Sequence, residues 1–185
     1  MKQLLLLGLM LTLSACEQKS KETGISPQRM TDAIHTVLEA DRTVYTQKIV
    51  NRLTLEEKNI KASEHWQEDK ALALPAQMFR MGAEHVMEKN PGFSYALISE
   101  WAINKKNMPR TEAEKNGMAA LIQDSSKPFY TEESLGGKSY FTALYPDMAI
   151  ADACIKCHND HKDSPRTDFK KDDIMGAVVI RLELK

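Results

Sequence analysis

Apolar residues recur at steps of three and four from Pro27 onward: Met30, Ile34, Val37, Leu38, Ile49 and Leu53, with Asp41 and Tyr45 as polar interruptions. That period predicts a long amphipathic helix of about 25 residues. Ser26 is placed to cap it, with Pro27 pre-set at the first helical position. Residues 54–70 are rich in charge and show no period. A second helix is predicted from Pro75 to Glu88, with Met78, Met81, Gly82 and His85 along one side, ended by Asn90-Pro91-Gly92. From Phe93 the period falls to two, with Phe93, Tyr95, Leu97, Ser99, Trp101 and Ile103 on one side, which predicts a strand whose aromatic face meets the core. Thr111-Glu112-Ala113-Glu114 has the form of a capping box and opens a helix to near Gln123. Gly136-Gly137 predicts a tight turn between strands. Tyr140–Tyr145 reads as a short strand stopped by Pro146, and residues 174–184 as a closing strand with Ile174, Gly176, Val178, Ile180, Leu182 and Leu184 on one side. Alternating rather than continuously apolar strands favour an α+β class with an antiparallel sheet over a parallel α/β fold.

A different pattern precedes the first helix. Lys2 is followed by an unbroken apolar run, Leu4–Leu13, ending in Leu13-Ser14-Ala15-Cys16. Ten residues are too few to span a bilayer. The run fits a secretory signal peptide over 1–15, and its end resembles a bacterial lipoprotein cleavage box, which makes Cys16 the lipidated first residue of the mature chain. Glu17, where Asp is the usual signal for inner-membrane retention, favours the periplasmic side of the outer membrane. Residues 16–28 then form a polar tether, and 29–185 the domain.

Composition narrows the function classes. Apolar residues make up 42% and charged residues 28%, with 25 basic against 26 acidic side chains, so neither a disordered chain nor a nucleic-acid-wrapping one is expected. Three cysteines are too few for a disulfide scaffold.

Two of those cysteines carry the chemistry. Cys154-Ile155-Lys156-Cys157-His158 has the C-x-x-C-H spacing of covalent c-type haem attachment. Thiols two residues apart can each reach one vinyl group on the porphyrin edge, and the adjacent imidazole can ligate iron as the proximal ligand. The competing readings are a dithiol redox pair or a disulfide, and a zinc site drawing on His158 and His161. With Cys16 assigned to lipid, the haem reading leaves no thiol unused.

Together with Trp101-Ala-Ile-Asn104, Asn107, Pro109-Arg110, Glu114, Tyr140–Asp147, Cys154–His161, Ser164-Pro-Arg166, Asp168-Phe169 and Asp173–Val179, this run resembles the Tll0287-like haem-binding domain family, formerly the DUF3365 family. The resemblance runs from about Thr31 to the C-terminus. It implies a PAS-like antiparallel sheet flanked by helices with a long N-terminal helix. It also implies one covalent haem c on Cys154 and Cys157, with His158 as proximal ligand. Some members take a distal cysteine from the N-terminal helical region; this chain has none between Cys16 and Cys154.

The distal ligand is therefore open, with His85, Met81 and His35 as candidates and His65 and His161 weaker ones. Tyr45 is a further residue able to approach iron or a bound ligand. Arg166 is the best-placed cation for a haem propionate, ahead of Lys105, Lys106 and Arg110. Two function classes follow: a lipid-anchored one-electron carrier, and a redox or small-gas sensor working with a separate output partner. An enzyme reading finds no distal acid–base pair. The expected partners are the membrane, through the lipid on Cys16, a redox or signalling protein, and a second copy of the chain packed along the long helix; nucleic acid is not among them.

Overall fold

The computed structural model describes residues 24–89 and 91–184, so the signal segment, Cys16 and most of the tether lie outside the described residues. Pro27–Val44 form α1, and the helix continues without a break as wider, π-type turns over Tyr45–Glu56. The Ser26 hydroxyl accepts the Arg29 N–H at 3.3 Å, as the sequence predicts. Two short strands, β1 (Ala62–Ser63) and β2 (Leu72–Ala73), pair in parallel. Then come α2 (Pro75–Glu88), β3 (Phe93–Ile98), a 3₁₀ turn (Lys105–Asn107), α3 (Glu112–Gln123), β4 (Phe129–Leu135), β5 (Lys138–Met148), α4 (Asp152–Asp160) and β6 (Ile174–Glu183). The larger sheet is antiparallel throughout, in the order β3-β6-β5-β4, which makes the chain α+β.

Both faces of this sheet are covered. On one, Tyr95, Ala143, Tyr145, Val178 and Ile180 meet Ile34 and Leu38 of α1 and Phe79, Ala83 and Val86 of α2. On the other, Ile98, Leu144, Ala177 and Val179 pack on Met118 and Leu121 of α3. β6 is therefore buried on both sides from Met175 to Ile180, where its alternation had predicted a single buried side. A third cluster of Ala149, Phe169 and Met175, joined by Trp101, Cys154 and Ile155, lies beneath α4.

Three boundaries depart from the periodicity for identifiable reasons. β3 ends at Ile98, not Ile103, because the Ser99 hydroxyl donates to the Met175 carbonyl at 2.6 Å and accepts the Trp101 N–H, which turns the chain. β5 runs through Pro146 to Met148. β4 begins at Phe129, opposite Leu144, so Pro146 lies where β5 has lost that neighbour and its missing N–H is not needed. The buried side of α2 is Phe79 and Ala83, with Met78 and Met81 half-buried and His85 exposed.

The long helix also departs from its predicted stripe. Val37 is 60% exposed and Asp41 is exposed, whereas Thr31, Thr46 and Val50 are the fully buried positions. Within the α-helical part the buried side runs through Thr31, Ile34 and Leu38, which leaves Val37 and Asp41 outside it; past Val44 the wider turns advance fewer degrees per residue, so a 3.6-residue period carried into Tyr45–Glu56 loses phase.

α3 is fixed as the capping box predicts. Thr111 accepts the Glu114 N–H at 3.1 Å, and Glu114 accepts the N–H groups of Thr111 and Arg110. The same carboxylate receives Arg181 from β6 at 2.7 Å, and Arg181 also reaches Glu133 at 2.7 Å.

Gly176 faces the backbone of β3 at its end. A Cβ there would lie 2.3 Å from the Ile98 carbonyl oxygen, and backbone in a buried strand cannot yield. Gly176→Ala is expected to destabilise the fold by about 3 kcal/mol or more, measured by urea unfolding of the purified chain.

Candidate functional site

α4 carries Cys154, Cys157 and His158 within nine residues. The residue at its N-cap, Ala151, offers no capping side chain, and the long helix supplies the missing support. Asn51 Oδ1 accepts the Ala153 N–H at 3.1 Å, Gln47 Nε2 donates to the Ile150 carbonyl at 3.2 Å, and Arg42 forks onto Asp147 at 2.8 and 3.0 Å. Arg42, Gln47 and Asn51 thus run in step with Asp147, Ile150 and Ala153 and set the height and direction of α4.

The other side of α4 is held by the segment after it. Asn159 Nδ2 donates to the Phe169 carbonyl and its Oδ1 accepts the Phe169 N–H, both at 2.9 Å. This presents the Phe169 ring edge-on to His158, with centroids 5.8 Å apart, and edge-on to Trp101 at the same separation. Arg166 lies against both rings, 4.2 Å from the Phe169 centroid and 4.9 Å from Trp101, and pairs with Asp168 at 2.7 Å and Asp173 at 2.8 Å. Its guanidinium is engaged within the protein, as part of the wall behind His158.

The electrostatics distinguish among the thiol chemistries. Both cysteines are free, Cys154 half-buried and Cys157 exposed at its helix surface. Burial pushes the Cys154 thiol up, against the pull of Arg42; burial and the charge of Glu64 push Cys157 up. Raised thiols are the opposite of the lowered ones that drive dithiol exchange. Among the described residues no group of three or more His, Cys, Asp or Glu is arranged to hold a metal ion. His161 is used locally: its Nδ1 accepts the Asp163 N–H at 3.1 Å and its Nε2 lies 3.7 Å from Glu64. Burial first, and then the neighbouring Arg42 charge, push His158 toward its neutral form, which is the form in which imidazole ligates a metal.

The distal candidates are dispersed. His85 is exposed and pairs with Glu88 on α2 at 3.2 Å. Met81 is half-buried on the same helix, which packs on β3. His35 stacks on the Tyr145 ring at 3.9 Å and lines a cavity of about 40 Å³ with Glu39, Arg42, Asp147 and Ile150, so it alone of the three shares a wall with residues that support α4. Tyr45 donates to the Ala73 carbonyl at 2.8 Å, so its hydroxyl is engaged by β2.

Sequence reasoning missed Arg42, Gln47, Asn51 and Asp147. The signal available was weak: polar residues at helical spacing beside the apolar stripe, together with one acid just after a strand proline. Among the described residues, three buried side-chain polar atoms have no hydrogen-bond partner: Arg42 Nε, Thr46 Oγ1 and His158 Nδ1.

Thiol reactivity tests the electrostatics. In the haem-free chain, alkylation of Cys154 and Cys157 by iodoacetamide is expected to be slow at neutral pH. It accelerates only above the titration range of an ordinary cysteine, about pH 8.5, as followed by peptide mass spectrometry.

Comparison with known proteins bears on the fold. A family model described as Tll0287-like matches residues 21–182. Among solved structures, the crystal structure of the cyanobacterial heme-protein Tll0287 matches with a TM-score of 0.55 and 12% identity, over 86% of this chain and 97% of that one. At that identity the likeness is one of fold. No curated protein matches the sequence.

Proposed function

We propose, from the premise that this chain belongs to the Tll0287-like family, that it is a c-type haem protein with one covalent haem that passes single electrons. The observation that carries this reading is the donor set on α4: two free thiols and a neutral imidazole on one short helix, with a buried imidazole nitrogen that no protein group serves. Cys154 and Cys157 would each add S–H across a vinyl group, sulfur to one carbon and hydrogen to its neighbour, so the attachment consumes no oxidant. His158 would ligate the iron. The adjoining cavity of about 40 Å³ admits a few waters at most, so the fit rests on donor chemistry and not on a preformed pocket. Bound there, the haem supplies a one-electron iron couple; the protein's part is to hold α4 rigidly from two sides and to keep His158 neutral.

A second reading, a small-gas or redox sensor acting through a separate partner, draws on one observation. The two imidazoles among the distal candidates are engaged elsewhere: His85 is exposed and paired with Glu88, and His35 is stacked on Tyr145.

Location and partners complete the proposal. The apolar run ending at Cys16 supports export and a lipid anchor, and Glu17 supports the periplasmic face of the outer membrane. On α1, Ala33, Val37, Ala40 and Val44 form one exposed stripe of small apolar side chains, with Val37 60% and Val44 56% exposed. A second copy of the chain, packed helix to helix, fits that stripe, because small residues let two backbones approach closely.

Full-length protein produced with a haem-maturation system is expected to gain the mass of one haem and a Soret band, both lost in the Cys154→Ser/Cys157→Ser double variant. A low-spin spectrum that carbon monoxide and nitric oxide leave unchanged selects the carrier; a high-spin ferrous form that binds either gas selects the sensor. Bare polypeptide mass with no Soret band refutes both. Separately, Val37→Glu/Val44→Glu is expected to convert dimer to monomer in sedimentation analysis, with the Soret band unchanged.

A further inference from the structure

The unpartnered atoms Arg42 Nε and Thr46 Oγ1 lie one turn apart on the helix face that grips the approach to α4. Arg42 spends both terminal nitrogens on Asp147, at 2.8 and 3.0 Å, which leaves Nε–H without an acceptor in a side chain only 13% exposed. Thr46 is fully buried. Buried helix threonines ordinarily donate back to a carbonyl three or four residues earlier. Thr31, equally buried in this same helix, does so to Gln28 at 2.9 Å, and the exposed Thr36 does so to Asp32 at 2.9 Å. Thr46 does not, and it sits where the helix widens into π-type turns, a distortion that recurs at functional sites. Leaving two buried donors unserved is costly, and native proteins rarely do so without a ligand or water to receive them. Arg42 also shares a cavity wall with Asp147, Met148 and Ile150, the segment that leads into α4. The unserved donors therefore belong to the surroundings of the attachment helix.

We propose that Arg42 and Thr46 are positioning residues that hydrogen-bond an acceptor oxygen brought to α4 by the haem, either a propionate or a small oxygen-bearing ligand on iron. The inference rests on the haem reading above and gives that site its first polar contacts beyond the C-x-x-C-H run. It also accounts for the Asp147 fork, which holds the guanidinium in one orientation while Nε stays free.

The test uses haem-loaded full-length protein as wild type, Thr46→Val and Arg42→Lys, with midpoint potential and nitrite affinity as the two readouts. Thr46→Val removes a hydroxyl that nothing in the protein uses and nearly conserves volume, so it reports even where the Arg42 variant fails to fold. Weakening of nitrite binding by about tenfold or more with an unmoved potential supports the proposal and identifies a ligand on iron. A shifted potential with unmoved nitrite affinity supports it and identifies a propionate. Both readouts at wild-type values in Thr46→Val, beside a normal Soret band, overturn this proposal alone and leave the donors to buried water. A wild-type chain without a Soret band overturns it together with the haem reading.

Discussion

The site depends on the grip of the long N-terminal helix on the chain leading into α4. Arg42 on Asp147, Gln47 on the Ile150 carbonyl and Asn51 on the Ala153 N–H are contacts between residues more than a hundred positions apart. A nine-residue helix has too few internal bonds to hold its own position in water. It keeps its place because its first turn is capped from outside and its far end is pinned by Asn159 to Phe169. The buried Arg42–Asp147 pair is not a large source of stability, because desolvating two charges offsets most of their attraction. Its value is in register: a forked guanidinium accepts one geometry, so sliding the helix by a residue would leave a buried carboxylate alone.

The two sheet faces serve this arrangement differently. α1 and α2 cover one face with an ordinary apolar interface, and Asp32 adds polar anchorage by accepting both the Tyr130 and Tyr145 hydroxyls at 2.7 Å. α3 covers the other face and is tied to β6 and β4 through the Glu114–Arg181–Glu133 chain. The central strands β5 and β6 are thereby fixed, and α4 leaves from the end of β5, just past the irregular pairing at Asp147 and Met148. That fixed point of departure holds α4 and its two cysteines and histidine in one place against the sheet.

Burial gives the site its chemical character. It raises the two thiols and keeps His158 neutral. A raised thiol is the reverse of the electropositive setting that lowers the thiols of exchange-active cysteines. Two residues read in the sequence as cofactor contacts also make contacts within the protein. Arg166 stacks behind His158 with Trp101 and Phe169, and Tyr45 ties the long helix to β2.

The sequence by itself determined what is local. The Ser26 and Thr111 caps, the bounds of α2 and α3, the Gly-Gly turn and the α+β class follow from patterns within a few residues of one another, as do the identity and spacing of Cys154, Cys157 and His158. Only the tertiary structure decided the rest. Which positions of the long helix past Val44 are buried turned on its widened turns, and the burial of both faces of β6 on its central place in the sheet. The polar residues that carry α4 came from one helix meeting the far end of the chain. Periodicity records which side of an element avoids water; it holds no information about the partner that arrives, so a polar residue whose use lies in a distant contact reads in the sequence as a solvated one.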